Sequence, residues 1–493
     1  MGRSMGYRPA RYPQGAPVLK PRDRHLLRRF SYGLTPTLTR QVKRAGGGSD
    51  WFEQQLDPRR VPDKQGDKSG WWPSLDRGPQ EIWERSRDGV EGGWEVMGDY
   101  QRAVLMRRIH SRRQVLEVMT ELWENHFNVP VNADLVYTWR RNYGDVLRRH
   151  ALGSFSQLLQ AAVTHPAMLL YLDAAVSTKD HPNENLGREL LELHTVGVGH
   201  YDEDDVKNSS RILTGWSVDR FRSFAARYNA EDHWTGSVQV LGFTDPNAGS
   251  DGRALTLRYL DYLAHQPATA QRVARKLAVK FVTDDPPQQL VDELASVYLA
   301  GDTQIKPVLR ALVRHPAFRS AEGQKVRDPG EDVAASYRAL RVRFAAPPAG
   351  SAGDPYGANA VLWQSTTLGT APFAWPRPDG QPLDNASWAT PSRLTSSMTM
   401  HWSLAGGWWP KEGVHYRGPR AWMPRRRIRF DKLVDHMCRQ LLGQTSTAAL
   451  LQACCQACDV GPRDVITYQH PVVRWRFHWL IGTLLDSPEH LTR

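Results

Sequence analysis

The sequence predicts a mainly α-helical protein, a large helical body with long loops and few short strands. Three observations carry that prediction. Apolar residues recur at helical spacing across 95–215 and 255–340. No stretch sustains the strict apolar–polar alternation of a half-buried strand. Breaker-rich segments interrupt the helical ones, notably GGGSDWFEQQLDPRRVPDKQGDKSGWWPSLDRGP from Gly46 and RFAAPPAGSAGDPYGANA over 343–360.

In chain order, residues 1–22 read as a mobile basic arm, and 23–342 as the main helical body. Residues 343–360 read as a Pro/Gly/Ala linker, and 361–493 as a loop-rich, then helical part of the same unit. RHLLRRF opens the helices, and TPTLTRQVKRA follows with Thr35 or Thr37 as N-cap. Long helices are expected from Val96 to Phe127 and from Leu135 to His165, and a third through NENLGRELLELHTVGV (183–198). The acidic run Asp202 to Asp205 suits the positive end of a helix dipole. Residues 220–249 suggest a short hairpin, and helices resume from Leu255 to Phe318. LLQAAVTHPAM (158–168) and VLRALVRHPAF (308–318) echo each other, with LLDSPEH as a fainter copy. They read as a recurring helix stop ended by proline.

Composition narrows the function. With 493 residues, 40% hydrophobic and 24% charged, the chain can bury a large core. Its net charge of +12 favours acidic partners, but no Lys/Arg stripe follows one helix, so nucleic acid is not expected. PRRRIRFDK (424–432) is expected as an exposed basic helix start. No run reaches the roughly 18 apolar residues of a membrane span. The basic first residues lack the apolar core of a signal peptide, so a cytoplasmic location is the default, with export alongside a partner left open. Of the four cysteines, Cys455 and Cys458 form C-x-x-C, with Cys438 and His436 upstream. They lie in the helical TSTAALLQACCQACDV without knuckle glycines, so they read as buried apolar residues.

Two helical segments carry polar stripes. In NENLGRELLELHTVGV, Asn185, Glu189 and Glu192 share a face, and Arg188 can reach Glu184 and Glu192 at four-residue spacing. His194 falls about 200° round the helix from Glu192, so no metal site is expected there. In ELWENHF, Glu117, Glu121 and Asn125 align while His126 joins the Trp123 face. His126 is either a hydrogen-bonded core histidine or a base offered to a pocket between the two helices. Arg188, Glu189 and Glu192 are expected to be largely buried, with Asn125 or His126 within reach.

RHLLRRFSYGLTP, ELWENHFNV, HPAMLLYLD, NENLGRELLELHTVGV, YDEDDVKNSSRILTGW, HQPATAQRVARKLAVKFVTDDPP, KVRDPGEDV and LLDSPEH together resemble the DUF1800 family of bacterial proteins, from about residue 24 onward. The resemblance implies a mainly helical protein of unestablished activity, commonly encoded beside DUF1501 proteins, which resemble the alkaline phosphatase and sulfatase superfamily. Its signature positions fall here on Trp123, Asn125, His126, Asn183, Glu184, Asn185, Arg188, Glu189, Glu192, His194, Arg211, Thr214, Gly215 and Trp216. In HWTGSVQVLG (233–242), Trp234 stands where the family usually has Asp and Val238 where it usually has Lys.

Two functions follow as expectations. One is a helical enzyme or ligand-binding protein, with His126, Glu189 and Glu192 as catalytic candidates. Asn125, Asn185, Arg188, His194, Arg211, Trp216 and His233 would bind the ligand, with Arg188 and Arg211 holding an anionic group. No cofactor can be named and no metal is expected. The other is a non-catalytic partner or assembly factor for a DUF1501-like protein, docking through the Trp-rich loops SGWWP (69–73) and GGWWP (406–410).

Overall fold

One helix, Pro329–Leu340, lies wholly inside the molecule, with all twelve of its residues buried. Asp328 caps it by accepting from the Glu331 amide, and Glu331 returns the bond to the Asp328 amide, so two orphan donors are satisfied at once. The helices Gly93–His110, Gly357–Thr367, Pro391–Gly406 and Phe430–Leu441 pack around it. The computed structural model describes residues 7–12, 15–348 and 356–493. Among them are twenty-five helices and four antiparallel two-stranded sheets, so the protein is mainly α. No helix of the described residues is long and apolar enough to cross a membrane.

Apolar residues from Tyr12 to Leu485 form one continuous core. Of the expected basic arm, residues 1–6 and 13–14 lie outside the described residues. Tyr12, Ala16 and Leu19 are buried, and the Tyr7 hydroxyl meets that of Ser446 at 2.8 Å. Of the expected linker, residues 349–355 lie outside the described residues. Arg343–Phe344 pairs as a strand with Val414–His415, and the Gly357–Thr367 helix begins directly after.

Helix starts follow their caps. Thr35 accepts from the Leu38 amide ahead of Pro36–Ala45, and Asp202 and Asp205 form a reciprocal box ahead of Glu203–Leu213. The expected hairpin region holds two ribbons, Trp216–Val218 with Ala226–Tyr228 and Val238–Val240 with Phe243–Asp245. Arg427–Arg429 is a short strand pairing with Val465–Thr467, and the helix starts only at Phe430.

Three local expectations need correction. The helix expected over 96–127 is two, Gly93–His110 and Gln114–His126. Their junction is held by the Gln114 side chain on the Ser111 carbonyl (2.8 Å) and by Asp63 on Ser111 (2.6 Å). The segment 135–165 likewise splits into Arg140–His150 and Phe155–Val163, the second capped by Ser154. The HPA echoes do not stop helices by proline. His165 and His315 each cap the next helix, accepting at Nδ1 from the Ala167 and Ala317 amides (3.1 Å each), with proline as first helical residue. Proline suits that position because it has no N–H to satisfy.

The Gln114–His126 helix is tied to Arg140–His150 by a fully buried pair, Arg140 with Glu124 at 2.6 Å. The same guanidinium lies 4.1 Å from the Phe373 ring centre and donates to the Val129 carbonyl. Glu124→Ala leaves that cation buried without its anion, and the expected loss of stability is about 3–5 kcal/mol by urea unfolding. A loss below about 1 kcal/mol would show the pair to be dispensable.

Candidate functional site

The two motif helices meet through their histidines. His126, at the end of Gln114–His126, and His194 are both buried. His126 Nε2 lies 3.1 Å from the His194 carbonyl, and His194 Nδ1 lies 3.0 Å from the His126 carbonyl. A carbonyl only accepts, so each of these ring nitrogens carries the proton. The opposite nitrogens, His126 Nδ1 and His194 Nε2, are buried without a hydrogen-bond partner. Burial, and then the charge of Lys276, push both imidazoles far below their ordinary pKa, His194 to about 3. Both rings are therefore neutral at physiological pH.

A change of helical pitch turns His194 inward. The α-helix Glu184–Glu189 passes into a π turn, Leu190–His194, and the Thr195 hydroxyl donates to the Leu190 carbonyl at 2.7 Å. Single π turns are rare and concentrate at functional sites. The wider turn also alters the angular relation between Glu192 and His194 that a regular helix would impose.

Glu189 and Glu192 are half-buried, not largely buried as expected. Desolvation, then the charges of Glu192 and Asp379, raise the Glu189 pKa. Glu192 accepts from the Tyr201 hydroxyl at 2.7 Å. Arg188 does not bridge to Glu192. It forms a two-pronged pair with Glu203 at 2.8 and 2.7 Å and lies 3.7 Å from Glu184. Glu203 is the first residue of the next helix, where the dipole already favours an anion, so it competes well for the guanidinium. Arg188 thus fastens two helices at the surface.

The Pro267–Phe281 helix supplies cations that local periodicity did not single out. Arg272 donates through Nε to the Leu193 carbonyl (3.1 Å), and burial lowers its pKa. Lys276, one turn on, is half-buried and makes no hydrogen bond or ion pair with any described residue. Desolvation, aided by Arg272, brings its pKa down to about 7. Its legible signal was modest: two cations four residues apart, beside the buried Val273 and Leu277 of an otherwise amphipathic helix.

The loop Trp375–Gly380 rests on the end of the Gln114–His126 helix. Asn128 donates to the Trp375 and Arg377 carbonyls at 2.9 and 2.7 Å, and the Tyr171 hydroxyl donates to the Pro376 carbonyl. Gly380 has φ +76° and sits so close that a Cβ would collide with the Asn125 carbonyl. This is the main constraint on half-buried Asn125. Asp379 accepts from the Trp375 indole at 3.0 Å, and its charge bears on Glu189, Tyr171 and Lys276.

The remaining candidates lie elsewhere. Asn185 is exposed in the first turn of its helix, where its amide donates to Asn183. Arg211 stacks on Trp234, 4.7 Å from the ring centre. Trp216 donates to Thr256, and His233 is held between the Thr214 carbonyl and the Asn247 side chain. Val238 is buried in its ribbon. Cys438, Cys454 and Cys458 are buried thiols and Cys455 is half-buried. Burial holds their pKa values up, so they stay protonated.

A family model described as a protein of unknown function, DUF1800, matches residues 25–492. The chain belongs to the DUF1800 family. No curated protein and no solved structure matches it.

A lysine whose folded pKa lies below its unfolded value costs stability wherever the unfolded chain binds a proton that the folded one releases. For Lys276 the cost is absent well above pH 10.5, grows as the pH falls and is complete below about 7. Lys276→Met is therefore expected to stabilise the protein at pH 6 by roughly 1–3 kcal/mol, allowing for solvent at its half-buried end. The gain should shrink as pH rises towards 10. Urea unfolding at several pH values reads it, and equal stabilities at pH 6 contradict it.

Proposed function

We propose that this DUF1800 protein is an enzyme or small-ligand binder, with its site where the Gln114–His126 helix meets the Glu184–His194 segment. The observation that carries the reading is Lys276: a desolvated amine with no partner, its pKa near neutrality, beside the neutral His126 and His194. An amine poised near neutrality serves as a general base or as a nucleophile towards a carbonyl. Glu189, its pKa raised by desolvation and then by the charge of Glu192, is the carboxyl group that would exchange a proton with the ligand. Arg272 anchors an anionic group, since its Nη nitrogens make no hydrogen bond among the described residues. His126 and His194 are buried and held neutral, so the base in this reading is Lys276 in place of His126. Arg188, Arg211, Trp216 and His233 have no part in this site, because each is engaged elsewhere.

A panel of small carboxylates, phosphates and sulfates, screened by thermal shift, tests the reading. At least one saturable binder is expected, lost in Lys276→Met and weakened at least tenfold in Glu189→Gln, with far-UV dichroism unchanged. Binding that survives both substitutions contradicts the proposal, as does a panel without one binder.

The second reading, a docking partner for a DUF1501-like protein, is favoured by one observation. Trp402, Trp408, His478 and Trp479 interlock edge-on at 4.5–5.4 Å, with Trp408, Trp475 and Trp479 exposed at the surface. Of the two Trp-rich loops, GGWWP offers this face, whereas Trp72 of SGWWP is buried. If the reading holds, Trp408→Ala with Trp475→Ala abolishes co-purification with a co-expressed DUF1501-like protein. Unchanged co-purification removes it.

A further inference from the structure

Three side chains from distant parts of the chain converge inside the protein, well away in sequence from His126, His194 and Lys276. Asp332 lies in Pro329–Leu340, His401 in Pro391–Gly406, and His490 in the short turn Pro488–Leu491. Asp332 and His401 are fully buried, and His490 is 4% exposed. His401 Nε2 stands 3.2 Å and His490 Nε2 3.7 Å from the same oxygen, Asp332 Oδ1, and the three ligand atoms lie within 4.8 Å of one another. We propose that Asp332 Oδ1, His401 Nε2 and His490 Nε2 bind one divalent transition-metal ion, zinc by the character of the donors.

The surroundings supply what such a site needs. The other oxygen of Asp332 is already taken by Arg393 (3.1 Å) and the Ser397 hydroxyl (2.7 Å), which leaves Oδ1 as a single fixed donor. Asp486 Oδ1 lies 2.8 Å from His401 Nδ1. A carboxylate on the far nitrogen sets the tautomer of metal-bound histidines, turning the Nε2 lone pair inward. That lone pair then faces an anionic oxygen in a water-excluded interior, an arrangement that requires a cation between them. Bonds of about 2.0–2.1 Å to a tetrahedral zinc imply ligand–ligand edges of roughly 3.3 Å, between the two edges seen here. A proton on His401 would satisfy the 3.2 Å edge alone, since 3.7 Å is outside hydrogen-bond range. The Ser336 hydroxyl hydrogen-bonds His490 Nε2 at 3.0 Å, and would yield that lone pair to the ion. Two histidines and a carboxylate also suit iron, which elemental analysis separates from zinc. In this arrangement the ion staples the C-terminal turn to the central helix.

The test is elemental analysis of the purified full-length protein, followed by chelation and titration with Zn2+ and Co2+. About one equivalent of metal per chain is expected, with a Tm that falls on chelation and returns with Zn2+. Co2+ should give intense tetrahedral d–d bands without thiolate charge transfer. His401→Gln and His490→Gln should each lose the equivalent. If those variants do not fold, the wild-type metal content and Co2+ spectrum decide. A chain that neither carries metal nor takes up Zn2+ or Co2+ overturns the proposal, leaving His401 as an imidazolium between Asp332 and Asp486. Metal retained by folded variants, or a thiolate band, overturns it equally.

Discussion

The start of the central Pro329–Leu340 helix places Asp328, Glu331 and Asp332 where water cannot reach, and the architecture follows from neutralising them. Lys280 pairs with Glu331 at 2.9 Å, Arg493 reaches the same carboxylate, and Arg393 holds Asp332. Nearby, Arg108 and the Tyr32 hydroxyl share Glu121. These partners come from both ends of the chain and from both sides of residues 349–355. A buried pair gains little over an apolar replacement, yet losing one partner is expensive. The lattice therefore acts less as a source of stability than as a lock on which segments may meet.

That lock bears on the candidate site. Lys280 is one turn beyond Lys276 on the same helix, and its pairing with Glu331 fixes the rotation of that helix. With Lys280 turned to the central helix, Arg272 and Lys276 are presented towards His126 and His194. The paired His126 and His194 hold the facing wall without consuming any charge, since both rings are neutral. Among the described residues Lys276 is one of the cations that the lattice does not neutralise.

Much of this was legible in the sequence, and the failures have physical causes. Helices, the Thr35 cap and the acidic start at Asp202 depend on neighbours three or four residues away, which a linear reading contains. The ELWENHF and NENLGRELLELHT segments do meet, as their polar stripes suggested, but through His126 and His194 and not through Arg188. A regular helix put Arg188 within reach of Glu192, whereas the competing partner, Glu203, became visible only once the next helix folded back. The π turn at Leu190–His194 leaves no periodic trace. Lys276 was not singled out, because burial of one lysine among several is set by tertiary packing. The breaks at Ser111 and Gly153 were missed because the apolar period runs through them.

The proposed site stands on Lys276 being a desolvated amine with no partner among the described residues. Its most direct test is an NMR titration of the protein after reductive 13C-methylation of its lysines, with the Lys276 resonance assigned from Lys276→Met. The account predicts an apparent pKa of about 7 for that resonance, well separated from those of the surface lysines. A Lys276 resonance that titrates with the surface lysines near 10.5 would contradict it.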